Sequence, residues 1–308
     1  MSMSSSLAEA SSPAPAHVPE ARRRDAVKPS TAFGCPRDPL NHRYVYAVIS
    51  SRARGLSLGV NLNPRRVCNY DCVYCEIDRG GEGAEEISVD SQRLSFELSE
   101  GLDLVLSGRI QSRPAYAHVP REMLALKQVA ISGDGEPTLC PNFTEAVETV
   151  VHLRAGGCFP FFKLVLLTNG AGLQERDRLE ALDLFGPRDE VWLKLDAGSP
   201  EHFQRINRAP CEFPAMIESV RRISQRRPVV IQTMMPSLDG RGPSGEEIQA
   251  LGRTLHELKE SGARITEVQV YSATRPSHRG HCGHLPLGSL TRAARRIREI
   301  SGLRAAVY

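Results

Sequence analysis

The sequence predicts an α/β protein built around a parallel sheet, on three observations. Six apolar runs of strand length alternate with six amphipathic stretches of helical spacing. The strand cores are near-continuous Val, Ile and Leu, as parallel strands covered on both faces require. Small and polar residues collect just past the carboxyl ends of the runs, the edge at which α/β sheets and barrels bind ligands.

The first run, Leu56–Leu62, leads through a short loop into three clustered cysteines, and a helix is expected over Leu94–Leu106. Gln128–Ser132 is closed by Gly133-Asp134-Gly135-Glu136-Pro137-Thr138 and followed by helix Phe143–Leu153. Leu164–Thr168 ends at Asn169-Gly170, before a helix over Leu173–Leu184. Val191–Asp196 carries Lys194 and Asp196 at its end, and Trp192 within it is expected to pack against a helix; Ala215–Ser224 comes next. Val229–Met234 ends at Met235-Pro236 and precedes helix Gly245–Glu260. Val268–Tyr271 ends at Ser272, and Leu290–Ile300 is the last helix. Repeated strand–helix units of this kind imply right-handed crossovers.

The chain has 308 residues, enough to bury a full core. Residues 1–38, rich in Ser, Ala and Pro at their start, are expected to be a disordered tail. That leaves 39–308 as one folded domain with a C-terminal helical extension. Net charge is +3, from 39 basic and 36 acidic side chains, which gives no support for a nucleic-acid partner. The basic clusters at Arg22-Arg23-Arg24 and at Arg221, Arg222, Arg226 and Arg227 read as a solvated tail and a helix end. No apolar run approaches the ~18 residues of a membrane span, so no membrane association is expected. Of eight cysteines, three sit together and five (Cys35, Cys140, Cys158, Cys211, Cys282) are scattered, which fits a reducing cytoplasm and one metal site.

The chemistry lies in Val67-Cys68-Asn69-Tyr70-Asp71-Cys72-Val73-Tyr74-Cys75, spaced C-x3-C-x2-C. Thiolates are soft ligands for iron–sulfur clusters, zinc or copper(I). A structural zinc site closes with a fourth Cys or His, yet no fourth Cys follows nearby and the next His is His118. Incomplete ligation suits catalysis better than scaffolding. On spacing alone, iron and zinc both stay open.

The triplet resembles the signature of the radical SAM superfamily, C-x3-C-x-aromatic-C, with Tyr74 at the aromatic position. The resemblance covers roughly residues 45–275 and implies a partial (β/α)6 TIM-like barrel. It implies a [4Fe–4S] cluster on Cys68, Cys72 and Cys75, and S-adenosylmethionine cleaved reductively to a 5′-deoxyadenosyl radical that abstracts hydrogen from an unknown substrate. A low-potential electron donor of flavodoxin or ferredoxin type is implied with them. By the same resemblance Tyr74 flanks the adenine, while Gly133, Gly135 and Glu136 receive the methionine amino group. Asn169, Lys194 and Asp196 stand where the family contacts ribose or carboxylate. The family's motif is Gly-Gly-Glu, into which Asp134 is inserted here. Ser57-Leu58-Gly59-Val60, the stretch Ser132 to Leu139 and Thr274-Arg275-Pro276 are similar to a branch of Fe–S oxidoreductases related to wyosine-type tRNA modification enzymes.

Two alternatives stand beside this: a non-catalytic zinc or iron–sulfur protein, its site completed by His281 or Cys282, and a tRNA-modifying radical enzyme. The segment His278-Arg279-Gly280-His281-Cys282-Gly283-His284 is a weaker metal or substrate candidate. Gln232, Tyr271 and Arg275 are expected to line the substrate cavity. Arg205, Asn207 and Arg208 are expected in surface ion pairs or against an anionic substrate, and Cys140 as a buried, inert thiol.

Overall fold

The computed structural model describes residues 30–34, 37–78, 87–280 and 282–308. Most of the expected tail and His281 therefore lie outside the described residues. The last part of that tail is packed: Ala32 and Asp38 are buried, and Asp38 is held by Arg113 through two hydrogen bonds of 2.7 and 2.8 Å.

The strands are β1 Val45–Ser50, β2 Gly55–Val60, β3 Leu126–Ile131, β4 Leu164–Thr168, β5 Glu190–Lys194, β6 Val229–Met234, β7 Ser237–Leu238, β8 Ile265–Tyr271, β9 Cys282–Gly283 and β10 Ala305–Val307. The α-helices are α1 Ser91–Leu106, α2 Phe143–Ala155, α3 Arg176–Glu180, α4 Pro200–Asn207, α5 Phe213–Arg226, α6 Gly245–Glu260 and α7 Leu287–Ser301. Eight strands form one sheet in the order β1-β2-β3-β4-β5-β6-β8-β10. Only β1 runs antiparallel to its neighbour; the rest are parallel. Six of them, β2 to β6 and β8, are the (β/α)6 series, and β1 and β10 are its edges. The sheet is thus a partial barrel rather than a closed one.

Alternation along each strand sorts the core into two. Leu56, Leu58, Val129, Ile131, Leu164, Leu166, Val191, Leu193, Val229, Ile231, Val268 and Val270 face outward, into one large cluster with the helices. On α1 this cluster takes Leu94, Leu98 and Leu102, a stripe at helical spacing. The opposite parity points inward, where Ala130, Val165, Trp192 and Val230 make a separate small core. Trp192 therefore fills the barrel interior and does not pack on a helix. Its strand parity carries it there, as the residue before the outward Leu193.

Helix ends follow capping chemistry. Asp90 accepts from Arg93 N at 3.0 Å, starting α1, and Ser244 with Glu247 forms a reciprocal capping box on α6. The helix expected over Leu173–Leu184 is broken into 3-10 turns Ala171–Gln174 and Ala181–Leu184 around the short α3. Arginines from α5 and its end take the carbonyls a continuous helix would use. Arg222 donates to Leu173 O and Gln174 O, and Arg227 to the carbonyls of Leu182, Phe185, Gly186 and Asp189. Arg222 and Arg227 are accordingly structural staples, not members of a purely solvated helix end.

Candidate iron–sulfur site

The three cysteines lie on the loop after β2, at the carboxyl edge of the sheet, each half-buried. Four later segments pin this loop through its backbone and side chains. Glu136 N donates to Val67 O at 2.9 Å, from the turn after β3. Asn169 Nδ2, after β4, donates to Asn69 Oδ1 at 2.9 Å and reaches Cys68 Sγ at 4.0 Å. Asp71 N and Val73 N donate to the carbonyls of Asn207 and Ile206, at the end of α4, at 3.1 and 2.9 Å. His278 N, after β8, donates to Cys75 O at 2.8 Å. The loop is clamped by the chain that follows four different strands, so the fold as a whole sets its shape.

Glycines make the first clamp possible. A Cβ on Gly135 would sit 1.9 Å from Val67 O, and one on Gly133 would sit 2.3 Å from Asn61 Oδ1. Close packing of the turn on the chain leading into the cysteines is what demands glycine here. The inserted Asp134 is used as well. It accepts from Asn61 Nδ2 at 2.8 Å and pairs with Arg37, whose guanidinium lies 4.4 Å from the Tyr46 ring centroid. A cavity of about 510 Å³ opens beside these residues, lined by Arg37, Tyr46, Asn61, Glu76 and Asp134.

Glu136 is buried, and its carboxylate is fully engaged. It accepts from Thr138 N at 3.1 Å, Thr138 Oγ1 at 2.6 Å, Asn169 N at 2.7 Å and Thr168 Oγ1. Burial pushes its carboxyl upward, against the pull of those donors. The group ties the end of β3 to the end of β4 rather than standing open to a cation.

Asp196 is occupied in the same way. It accepts from the Tyr74 hydroxyl, from Asn207 Nδ2 at 2.7 Å and from Met234 N at 2.8 Å. Tyr74 is buried among Val73, Ile206, Met234 and Cys282, and burial beside Asp196 holds its hydroxyl in the neutral, donating form. The same Asn207 amide lies 3.5 Å from Cys72 Sγ. Sequence reasoning placed Asn207 among surface or substrate residues and missed this role, which a contact across 135 positions creates.

Lys194 differs from the others. Its ammonium lies 4.6 Å from the Tyr74 ring centroid and meets no carboxylate or acceptor within bonding distance among the described residues. Burial alone would lower its pKa, but Asp196, Tyr271 and Cys72 outweigh that and raise it, keeping the charge on the amine.

The remaining candidates divide. Gln232 and Tyr271 lie on the barrel's inner face, whereas Arg275 is taken up by Glu76 at the far end of the cysteine loop. Arg205 pairs with Glu247, and Arg208 lies 3.7 Å from Asp71. The segment after β8 clasps the loop: Arg279 pairs with Asp71 at 2.7 Å, His278 with Asp78 at 3.3 Å, and Cys282 pairs across β9 to Leu238 of β7. Among the described residues no group of three His, Cys, Asp or Glu side chains is arranged to hold a metal ion. Three thiols spread along one clamped loop, with amide N–H groups directed at two of the sulfurs, fit a group with several metal atoms.

Residues 62–249 match the Radical SAM superfamily. A UPF0026 protein of Helicobacter pylori is 25% identical over 277 residues, covering 83% of this chain and 80% of the relative. A UPF0026 protein of Synechocystis is 29% identical over 238 residues, covering 75% and 76%. Streptococcus suis SuiB bound to S-adenosylmethionine superposes with a TM-score of 0.55 at 16% identity, over 83% of this chain and 52% of SuiB. The chain thus spans about half the length of SuiB. TYW1 with a lysine–pyruvate adduct bound superposes with a TM-score of 0.53 at 16% identity, over 84% of each chain. At these identities both structures are alike in fold.

Proposed function

The chain belongs to the radical SAM superfamily, and from that premise we propose that Cys68, Cys72 and Cys75 hold a [4Fe–4S] cluster with which it cleaves S-adenosylmethionine. The observation that carries this reading is the clamping of the three-thiol loop by the segments after β3, β4, β5 and β8. When bound, the cluster supplies an electron to S-adenosylmethionine, whose cleavage yields methionine and a 5′-deoxyadenosyl radical that takes hydrogen from a substrate.

The chain's own residues hold and shield that chemistry. Asn207 directs an amide N–H at Cys72, opposing the burial that pushes this thiol up, and Asn169 reaches Cys68 at 4.0 Å; both orient the sulfurs. Lys194, kept charged, is suited to pair with a carboxylate and is a poor nucleophile in that state. Glu136 and Asp196 act as positioning residues, one on the glycine-rich turn and the other on Tyr74 and Asn207. The apolar wall of Val73, Tyr74 and Ile206 covers one side of the loop. Electrons come from a low-potential donor of flavodoxin or ferredoxin type. No helix among the described residues is long and apolar enough to cross a membrane.

Electron paramagnetic resonance of the reduced, anaerobically reconstituted protein tests the reading. A cluster signal that changes when S-adenosylmethionine is added supports it. A signal indifferent to S-adenosylmethionine, or zinc retained in place of iron, overturns it.

A further inference from the structure

The interior of the barrel is more polar than the packed layers of bulky apolar side chains common in such folds. Ser57, Gln128, Gln232 and Gln269 are all at most 4% exposed. Gln128 shares the inward parity of Ala130, since Val129 between them belongs to the outer core. Into this space reaches Arg52, from the turn between β1 and β2. Its guanidinium donates to Gln232 Oε1 and lies 4.5 Å from the Tyr271 ring centroid and 5.8 Å from that of Trp192. Gln232 in turn donates to Gln269 Oε1 at 2.7 Å.

Arg52 meets no carboxylate among the described residues, and the inward carboxylates are committed elsewhere. Glu190 accepts from Trp192 Nε1 and pairs with Lys163, while Glu267 accepts from the Tyr308 hydroxyl and from Gln269 Nε2 at 3.5 Å and lies 3.2 Å from Arg304, reaching Arg52 only through the two glutamines. Asp196 is held by Tyr74, Asn207 and Met234. Lys194, whose Cα pairs with that of Gln232, adds a second cation on the same face. Lys194 is offset at longer range by Asp196, whereas Arg52 has only the Gln232 amide oxygen and the aromatic rings beside it, so an anion joining Arg52 would be stabilised. Gln128 supplies a second, independent sign: its Oε1 is a buried acceptor with no donor among the described residues. An acceptor left so in a polar interior is satisfied by a ligand that brings an N–H or O–H.

We propose that the barrel interior binds the substrate by a small anionic group, carboxylate or phosphate, on Arg52, with a neighbouring N–H or O–H of the substrate donating to Gln128. This rests on the reading above that the cysteine loop at the carboxyl edge of the sheet holds the cluster that generates the radical. Arg52 enters from the amino-terminal end of the strands, opposite the cysteine loop. The anionic end of the substrate is thus held deep and its reacting end presented to the loop. The planar guanidinium fork suits either oxyanion, and the Tyr271 ring beside it suits a compact, partly apolar body.

The chain contains a single tryptophan, Trp192, and it lies beside Arg52, so its fluorescence reports directly on this site. The cluster-reconstituted protein is titrated anaerobically with glycolate, with inorganic phosphate and with neutral ethylene glycol. A saturable change in Trp192 emission with one or both anions, and none with ethylene glycol, is expected; the anion that saturates identifies the group. Arg52→Gln and Gln128→Glu should each weaken that binding by about tenfold or more. No saturable change with either anion, an equal response to ethylene glycol, or undiminished affinity in both variants overturns the proposal. If Arg52→Gln loses its circular dichroism signature, Gln128→Glu decides alone. Turnover of S-adenosylmethionine is measured separately on the wild type, so a failed radical reading and a failed anion site give different results.

Discussion

The side-chain amide of Asn207 donates to the Cys72 sulfur across 3.5 Å. That amide also donates to Asp196, which accepts from the Tyr74 hydroxyl, so Tyr74, the chain after β5 and Cys72 are joined at one residue. Hydrogen bonds to ligand sulfurs draw electron density away and raise the potential of a thiolate-held cluster. Asn207→Ala is therefore expected to lower the cluster potential by on the order of tens of millivolts and to weaken iron retention by roughly tenfold. A redox titration followed by electron paramagnetic resonance measures the first effect; an unchanged potential would remove Asn207 from the site.

Gly135 tests the clamp on the other side. Gly135→Ala places a methyl group 1.9 Å from Val67 O, a contact that only backbone movement relieves. Iron content after reconstitution should fall well below wild type while circular dichroism stays native. Gly245→Ala, with nothing within 4 Å of the new Cβ, serves as the control and should load iron normally. Equal loading of both variants would show that the turn does not shape the loop.

Glu136 has four donors around its buried carboxylate, and all four lose this acceptor if it is removed. Glu136→Ala should cost about 3 kcal/mol of stability, read by chemical denaturation of the cluster-free protein. A loss of under about 1 kcal/mol would mean that the turn is held by its backbone alone.

At the amino-terminal end of the barrel, Asp189 accepts from Arg154 at 2.7 and 2.9 Å, from Leu164 N at 2.8 Å and from Gly186 N at 2.7 Å. Burial pushes its carboxyl up, but Arg154 and the two backbone donors prevail and hold it below its usual value of 3.8. A folded-state pKa lowered in this way contributes stability that is complete above the unfolded value and is lost as pH falls through the folded one. Stability should therefore be flat in this group's contribution near neutrality and decline in acid, below about pH 4. Arg154→Met strands the buried carboxylate and should cost about 3–5 kcal/mol at pH 7. With its partner gone the carboxyl titrates high, so the variant should regain stability as pH is lowered toward that raised value. A variant with the wild-type pH profile would contradict the assignment.

Much of this was legible in the residues. The six apolar runs correspond to β2 to β6 and β8, because strands buried on both faces must be continuously apolar. The antiparallel β1 escaped notice because the turn joining it to β2 contains no Asn-Gly or Pro-Gly signal; Arg54 takes a left-handed φ of 56° instead. The three-residue β10 and the two-residue β7 and β9 are too short for a pattern. In the site, the cysteine spacing, the glycine-rich turn and the strand-end polar residues were visible, whereas their partners were not. That Glu136 is spent on Thr138, Thr168 and Asn169, or that Asn207 reaches Cys72 across 135 positions, depends on contacts that only the folded chain creates.

The most direct test is the formation of 5′-deoxyadenosine by the anaerobically reconstituted, reduced protein supplied with S-adenosylmethionine, with Cys72→Ala assayed beside it. The wild type should release 5′-deoxyadenosine and methionine in equal amounts, and Cys72→Ala neither. Wild-type protein that carries a full complement of iron and sulfide yet releases no 5′-deoxyadenosine would contradict the account.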